Sequence, residues 1–88
     1  MKYFYAYILY SRTLDKYYIG QTNDLGDRFI RHNQGRSKST KGGRHWLLVY
    51  AKQFRTRSDA AKFEYHIKKQ KSRSYIEKLI KEFYSTQC

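Results

Sequence analysis

Proline is absent from this chain of 88 residues, and its one stretch of loop-like composition is Gly35-Arg36-Ser37-Lys38-Ser39-Thr40-Lys41-Gly42-Gly43-Arg44. Nothing in it reads as an interdomain linker, so the sequence predicts a single domain over residues 1–88. Cysteine occurs once, at Cys88. That excludes an internal disulfide and a cysteine-based metal cluster, and it suits a reducing, cytoplasmic setting. Acids are scarce as well, seven Asp and Glu in all, too few to build a two-metal carboxylate cage. The N-terminal apolar run, Tyr3 to Tyr10, is rich in tyrosine, too short to span a membrane, and followed by no small-residue cleavage site. It reads as a buried strand. There is no G-x-S-x-G, no P-loop and no H-E-x-x-H, and His32, His45 and His66 share no metal-ligand spacing.

What the chain has in excess is positive charge. Nineteen Lys and Arg leave a formal net charge of +12, more than solubility needs and enough to attract polyanions. Nucleic acid is the expected partner. The basic residues are not gathered along one amphipathic helix, so a membrane surface is the weaker expectation; a small basic protein serving an RNA or protein complex is another. The runs Arg36, Lys38, Lys41, Arg44 and Lys68, Lys69, Lys71 are read as phosphate-contact surface.

Aromatic and β-branched content predicts strands over 3–10 and 16–22, joined by a short polar loop into a hairpin. Asn23 is placed to cap a helix starting at Asp24, with Gly35 ending it and Leu25 and Phe29 as its apolar stripe. Residues 46–51 read as a third strand, whose nearly continuous apolarity predicts a well-covered position in the sheet. Thr56 or Ser58 starts a second helix running to about Lys71, with Ala60, Phe63 and Ile67 at helical spacing. Ser72 or Ser74 caps a third, carrying Ile76, Leu79, Ile80, Phe83 and Tyr84. The expected fold is α+β: a three-stranded, mostly antiparallel sheet flanked by helices in the order ββαβαα. The third helix either completes the core or forms a dimer contact, which leaves the oligomeric state open.

Hairpin parity brings two tyrosines together. With an even loop, Ser11 to Leu14, Tyr10 faces Asp15 and Tyr7 lies directly across from Tyr18, both phenols on one face. Arg28 and His32, four residues apart, share one side of the first helix. Either Arg28 pairs with Asp24 and His32 is an ordinary, partly exposed histidine, or the two form a phosphate-recognising pair. Glu64 sits mid-helix on the shoulder of an apolar stripe, where a carboxylate needs a cation. Lys68, four residues on, would supply one. The other reading is a single magnesium site completed by waters and a substrate phosphate.

Ala6-Tyr7-Ile8-Leu9, Tyr18-Ile19-Gly20, Arg28, His32-Asn33 and a helical Glu64 resemble the GIY-YIG nuclease superfamily, specifically its small single-domain bacterial type. The likeness spans Tyr3 to about Lys71, although Ala6-Tyr7 stands where the family's name has Ile-Tyr. It implies Mg²⁺- or Mn²⁺-dependent hydrolysis of a DNA phosphodiester, with no small-molecule cofactor. Branched or damaged DNA is a candidate substrate. Carried over, Tyr7 and Tyr18 are the two motif tyrosines, Tyr18 being the general base. Arg28 clamps the phosphate, His32 assists by hydrogen bonding and Glu64 holds the metal. Gly20 is expected to leave the strand end open to the DNA backbone. Many members add an asparagine after the glutamate; the segment from Tyr65 to Glu77 contains none, leaving Gln70 or a lysine to stand in. The alternative is a non-catalytic nucleic-acid-binding domain that retains the fold.

Overall fold

The computed structural model describes residues 3–35, 42 and 45–87. Its elements run β1 (Phe4–Ser11), β2 (Lys16–Thr22), α1 (Leu25–Asn33), β3 (Trp46–Phe54), α2 (Arg57–Gln70) and α3 (Arg73–Gln87). The ββαβαα order is the expected one. The sheet order is β2-β1-β3 with both pairings antiparallel. As the middle strand, β1 is covered on both faces, and Ala6 to Leu9 are buried without interruption. Among the described residues, no helix is long and apolar enough to cross a membrane.

The side chains of β1 alternate between two cores. Tyr7 and Leu9 join Trp46 beneath Leu25 and Phe29 of α1. Ile8 points the other way and packs with Ile19, Tyr50 and Ile67 under α2 and α3. Each helix begins on a side chain that satisfies an otherwise unpaired N–H. Asp24, not Asn23, caps α1, accepting from the Asp27 amide at 3.0 Å, while the Thr22 hydroxyl accepts from Asp24 N–H. Thr56 caps α2 through the Asp59 amide. Ser72 accepts from the Tyr75 amide at the start of α3. Lys71, between the last two helices, turns the chain with a left-handed φ of 48°.

Two expectations are corrected. The even loop is Arg12 to Asp15 rather than Ser11 to Leu14, so Tyr7 lies across from Gly20 and Tyr18 across from Leu9. The physical reason is local. Ser11 stays in the strand, fully buried, and its hydroxyl accepts from the Leu14 amide, while Asp15 takes the left-handed turn at φ 52° that aspartate tolerates. Parity survives the shift, and the tyrosines still share a face as diagonal neighbours.

The second correction concerns β3, which is an edge strand with Leu47 and Leu48 exposed. Its apolarity comes from serving both cores. Tyr50 pairs with Ile8 and Leu48 with Leu9, leaving Val49 as an extra residue, a β-bulge. Trp46 and Tyr50 are an even number of residues apart and would share a face in a regular strand. The bulge sends Trp46 to the α1 side and Tyr50 to the α2/α3 side.

The hairpin loop is anchored to the start of α3. The Arg73 guanidinium pairs with Asp15 at 2.6 Å and Glu77 at 3.2 Å, and stacks over the Tyr17 ring. Tyr10 also donates to Asp15 at 2.6 Å. That hydrogen bond, followed by Arg73, holds the Asp15 carboxyl below its ordinary range.

Candidate active site

The α1 face of the hairpin carries Tyr7 and Tyr18 with ring centres 6.4 Å apart. Tyr7 is buried and Tyr18 half-buried. The Tyr7 phenol fills the space that a side chain at position 20 would need: a Cβ on Gly20 would stand 2.5 Å from the Tyr7 hydroxyl oxygen and 2.7 Å from Cζ. Gly20 therefore makes room for Tyr7, and not for an approaching DNA backbone.

α1 delivers the next two residues one turn apart. His32 is 1% exposed, far from the partly exposed histidine weighed above. Its Nε2 lies 3.0 Å from the Tyr7 hydroxyl, and its ring centre 4.9 Å from that of Tyr18. Trp46 closes the cluster edge-on to Tyr18 at 6.2 Å. Burial, then the charge of Arg28, pulls the His32 pKa below its ordinary value. Burial, then Tyr18, pushes Tyr7 upward, opposed by Arg28 and reinforced by Glu64. A neutral imidazole facing a phenol that keeps its proton shares one hydrogen bond with it, whose direction the imidazole tautomer sets.

Arg28 is exposed one turn before His32 on α1, and its charge acts on both Tyr7 and His32. The Asp24–Arg28 pair does not form, because Asp24 is occupied as the cap and the ion pair on α1 is Arg31–Asp27 at 2.9 Å. Among the described residues Arg28 has no ion pair. Sequence reasoning missed the part played by Asn33. Its amide donates to the Trp46 carbonyl at 3.1 Å and accepts the Trp46 N–H, extending the β3 ladder with a side chain. A polar amide at the last position of α1, beside His32, was the available signal.

Glu64 stands on α2, which covers the other face of the sheet. It lies on the inward flank, one turn from each of the fully buried Ala60 and Ile67. Its Oε2 pairs with Lys68 Nζ at 2.6 Å, so the intrahelical pair forms. The same carboxylate still contributes to the field that keeps Tyr7 protonated. Among the described residues no group of three or more His, Cys, Asp or Glu could hold a metal ion. A divalent ion here would rest on one carboxylate, waters and substrate oxygens, a donor set that Mg²⁺ accepts.

Gln70 is turned back on its own helix, donating to the His66 carbonyl at 3.2 Å, and does not join Glu64. Lys69 and Lys71 are exposed, as is Lys68. Arg36, Lys38, Lys41 and Arg44 lie outside the described residues.

A sequence profile described as the GIY-YIG catalytic domain matches residues 3–79. Among similar proteins is the UPF0213 protein YazA of Bacillus subtilis, 40% identical over 67 residues that cover 72% of this chain and 68% of that protein. A UPF0213 protein of Staphylococcus saprophyticus is 46% identical over 52 residues, covering 58% of this chain and 63% of its own length. The solution NMR structure of a UPF0213 protein from Bacillus halodurans superposes with a TM-score of 0.56 at 31% identity, covering 90% of this chain and 83% of that one.

Proposed function

This chain belongs to the GIY-YIG catalytic domain family, and from that premise we propose that it is a metal-dependent endonuclease hydrolysing DNA phosphodiester bonds. The observation that carries the reading is the Tyr7–His32–Tyr18 cluster with Arg28 exposed one turn before His32 on the same helix. The two phenols divide the work by exposure. Tyr7 is buried and keeps its proton, so it and His32 hold the pocket's shape. Tyr18, the more exposed, accepts the proton of the attacking water. Arg28 offers a planar fork of donors that matches two phosphate oxygens. Glu64 is the residue to hold Mg²⁺ or Mn²⁺, and such an ion supplies positive charge to the phosphate and acidifies bound water. Lys69 and Lys71 extend the positive surface along the backbone of the nucleic acid.

A second reading, a nucleic-acid-binding domain without catalysis, draws on the ion pair that already occupies Glu64 and on the missing asparagine. One assay separates the two. The protein is incubated with linear, flapped and four-way DNA in Mg²⁺, and cleavage is followed beside binding at several salt concentrations. The expected result is nicking that falls by about 10²-fold or more in Glu64→Gln while salt-sensitive binding persists. Binding with no cleavage of any DNA form in Mg²⁺ or Mn²⁺ would leave the second reading, and tighter binding of RNA than DNA at equal salt would redirect both.

A further inference from the structure

The pairing of Glu64 with Lys68 is lopsided. The Glu64 side chain is 20% exposed, whereas that of Lys68 is 53% exposed. One partner is mostly sheltered, and the other sits at the end of a flexible four-carbon stem half in solvent. An uncompensated carboxylate between Ala60 and Ile67 would be unfavourable, and the ammonium at 2.6 Å compensates it. A divalent ion arriving at Glu64 brings two positive charges to an oxygen that already faces one. Ammonium and metal repel each other, and the mobile partner leaves.

Where the ammonium goes is constrained by its neighbours. Lys68 lines a groove of about 380 Å³ together with Lys16, Lys71 and Arg73. The one acid lining that groove, Asp15, is held by Arg73 at 2.6 Å. A displaced ammonium thus meets cations on its own protein, and a phosphate of bound nucleic acid is the natural counter-ion.

We propose that Lys68 is a transferable cation: it neutralises Glu64 in the free protein and passes to a backbone phosphate when a divalent ion takes Glu64, so that metal and nucleic acid bind cooperatively. The inference rests on the reading of Glu64 as the metal ligand. Coupling of this kind is reciprocal, because whatever the phosphate does for the metal the metal does for the phosphate.

The test is a Mn²⁺ titration followed by electron paramagnetic resonance at fixed ionic strength, with and without a phosphorothioate oligonucleotide that resists cleavage. Wild type, Lys68→Met, Lys68→Gln and Glu64→Gln are compared, each with a melting curve. Without DNA, both Lys68 variants are expected to bind Mn²⁺ roughly three- to tenfold more tightly than wild type, the size of a displaced partly exposed pair. The oligonucleotide should tighten Mn²⁺ binding in wild type by more than it does in either variant. Equal Mn²⁺ affinity in wild type and the Lys68 variants, with binding lost in Glu64→Gln, overturns the role of Lys68 and leaves the metal reading standing. Mn²⁺ binding untouched by Glu64→Gln removes the metal reading, and the transferable cation with it.

Discussion

At the scale of single residues the site depends on a missing side chain. The Tyr7 phenol occupies the place of a side chain at position 20, and Tyr7 is a rigid ring buried on all sides. Gly20→Ala is expected to destabilise the fold by roughly 1–3 kcal/mol, the usual range for overpacking, as measured by urea denaturation. Adding Tyr7→Phe should recover only part of the loss, because Cζ as well as the hydroxyl stands within 3 Å of the new methyl group. That the two tyrosines share a face was legible from strand parity. The work of Gly20 was not, because a shift of two in the sum of paired positions decides which residue faces Tyr7.

His32 gives a pH dependence of fixed sign. Its pKa in the fold is below its ordinary value, so the native state binds fewer protons than the unfolded chain. The stability it contributes is whole above the unfolded pKa, about 6.5, and is lost as pH falls from there through the lowered folded value. Melting temperatures at pH 7.5 and 5.0 should therefore drop further in wild type than in His32→Gln. A buried histidine was beyond sequence reasoning, because only the closure of Trp46 over the cluster decides its exposure.

At the scale of elements, α1 is fastened to β3 by a side chain that imitates a strand. Asn33 uses both halves of its amide on the two backbone groups of Trp46. Asn33→Ala leaves both without that partner and is expected to cost about 1–2 kcal/mol, with faster hydrogen exchange at the Trp46 amide as the local readout. Asn33→Asp should be no better than alanine, since one carboxylate oxygen would then face the Trp46 carbonyl. Two helix starts were legible, each as one of two candidates, because caps are local: Thr56 and Ser72 act within three residues of themselves. The cap of α1 fell one residue past the expected Asn23. The place of β3 was not. A continuous apolar run is compatible with a central strand and with an edge strand that feeds two cores, and only the pairing tells them apart.

At the scale of the whole molecule, a net charge of +12 was legible directly and sets the expected mode of binding. DNA affinity should fall by about tenfold or more between 50 and 200 mM salt, as released counterions require. Lys69→Ala should lower the slope of log affinity against log salt by about one, without changing sequence preference. A slope near zero in wild type would mean that phosphate contacts do not drive binding. The part proposed for Glu64 was readable only from its place on the shoulder of an apolar stripe. Its helix covers one face of the sheet and the tyrosines occupy the other, so nothing in residue spacing shows that its charge reaches Tyr7.

The bulge at Val49 makes the number of residues, rather than their kind, the information carried by β3. Replacing Val49 with another aliphatic residue leaves Trp46 and Tyr50 on opposite faces. Deleting it restores strict alternation with Trp46 and Tyr50 three positions apart, so the two stay on opposite faces and keep Ser11 and Ile8 as their partners. The indole that closes over Tyr18 keeps its side of the sheet. A one-residue deletion at this bulge should thus spare the tyrosine cluster, whereas one in the middle of β1, where no residue is spare, should scramble it.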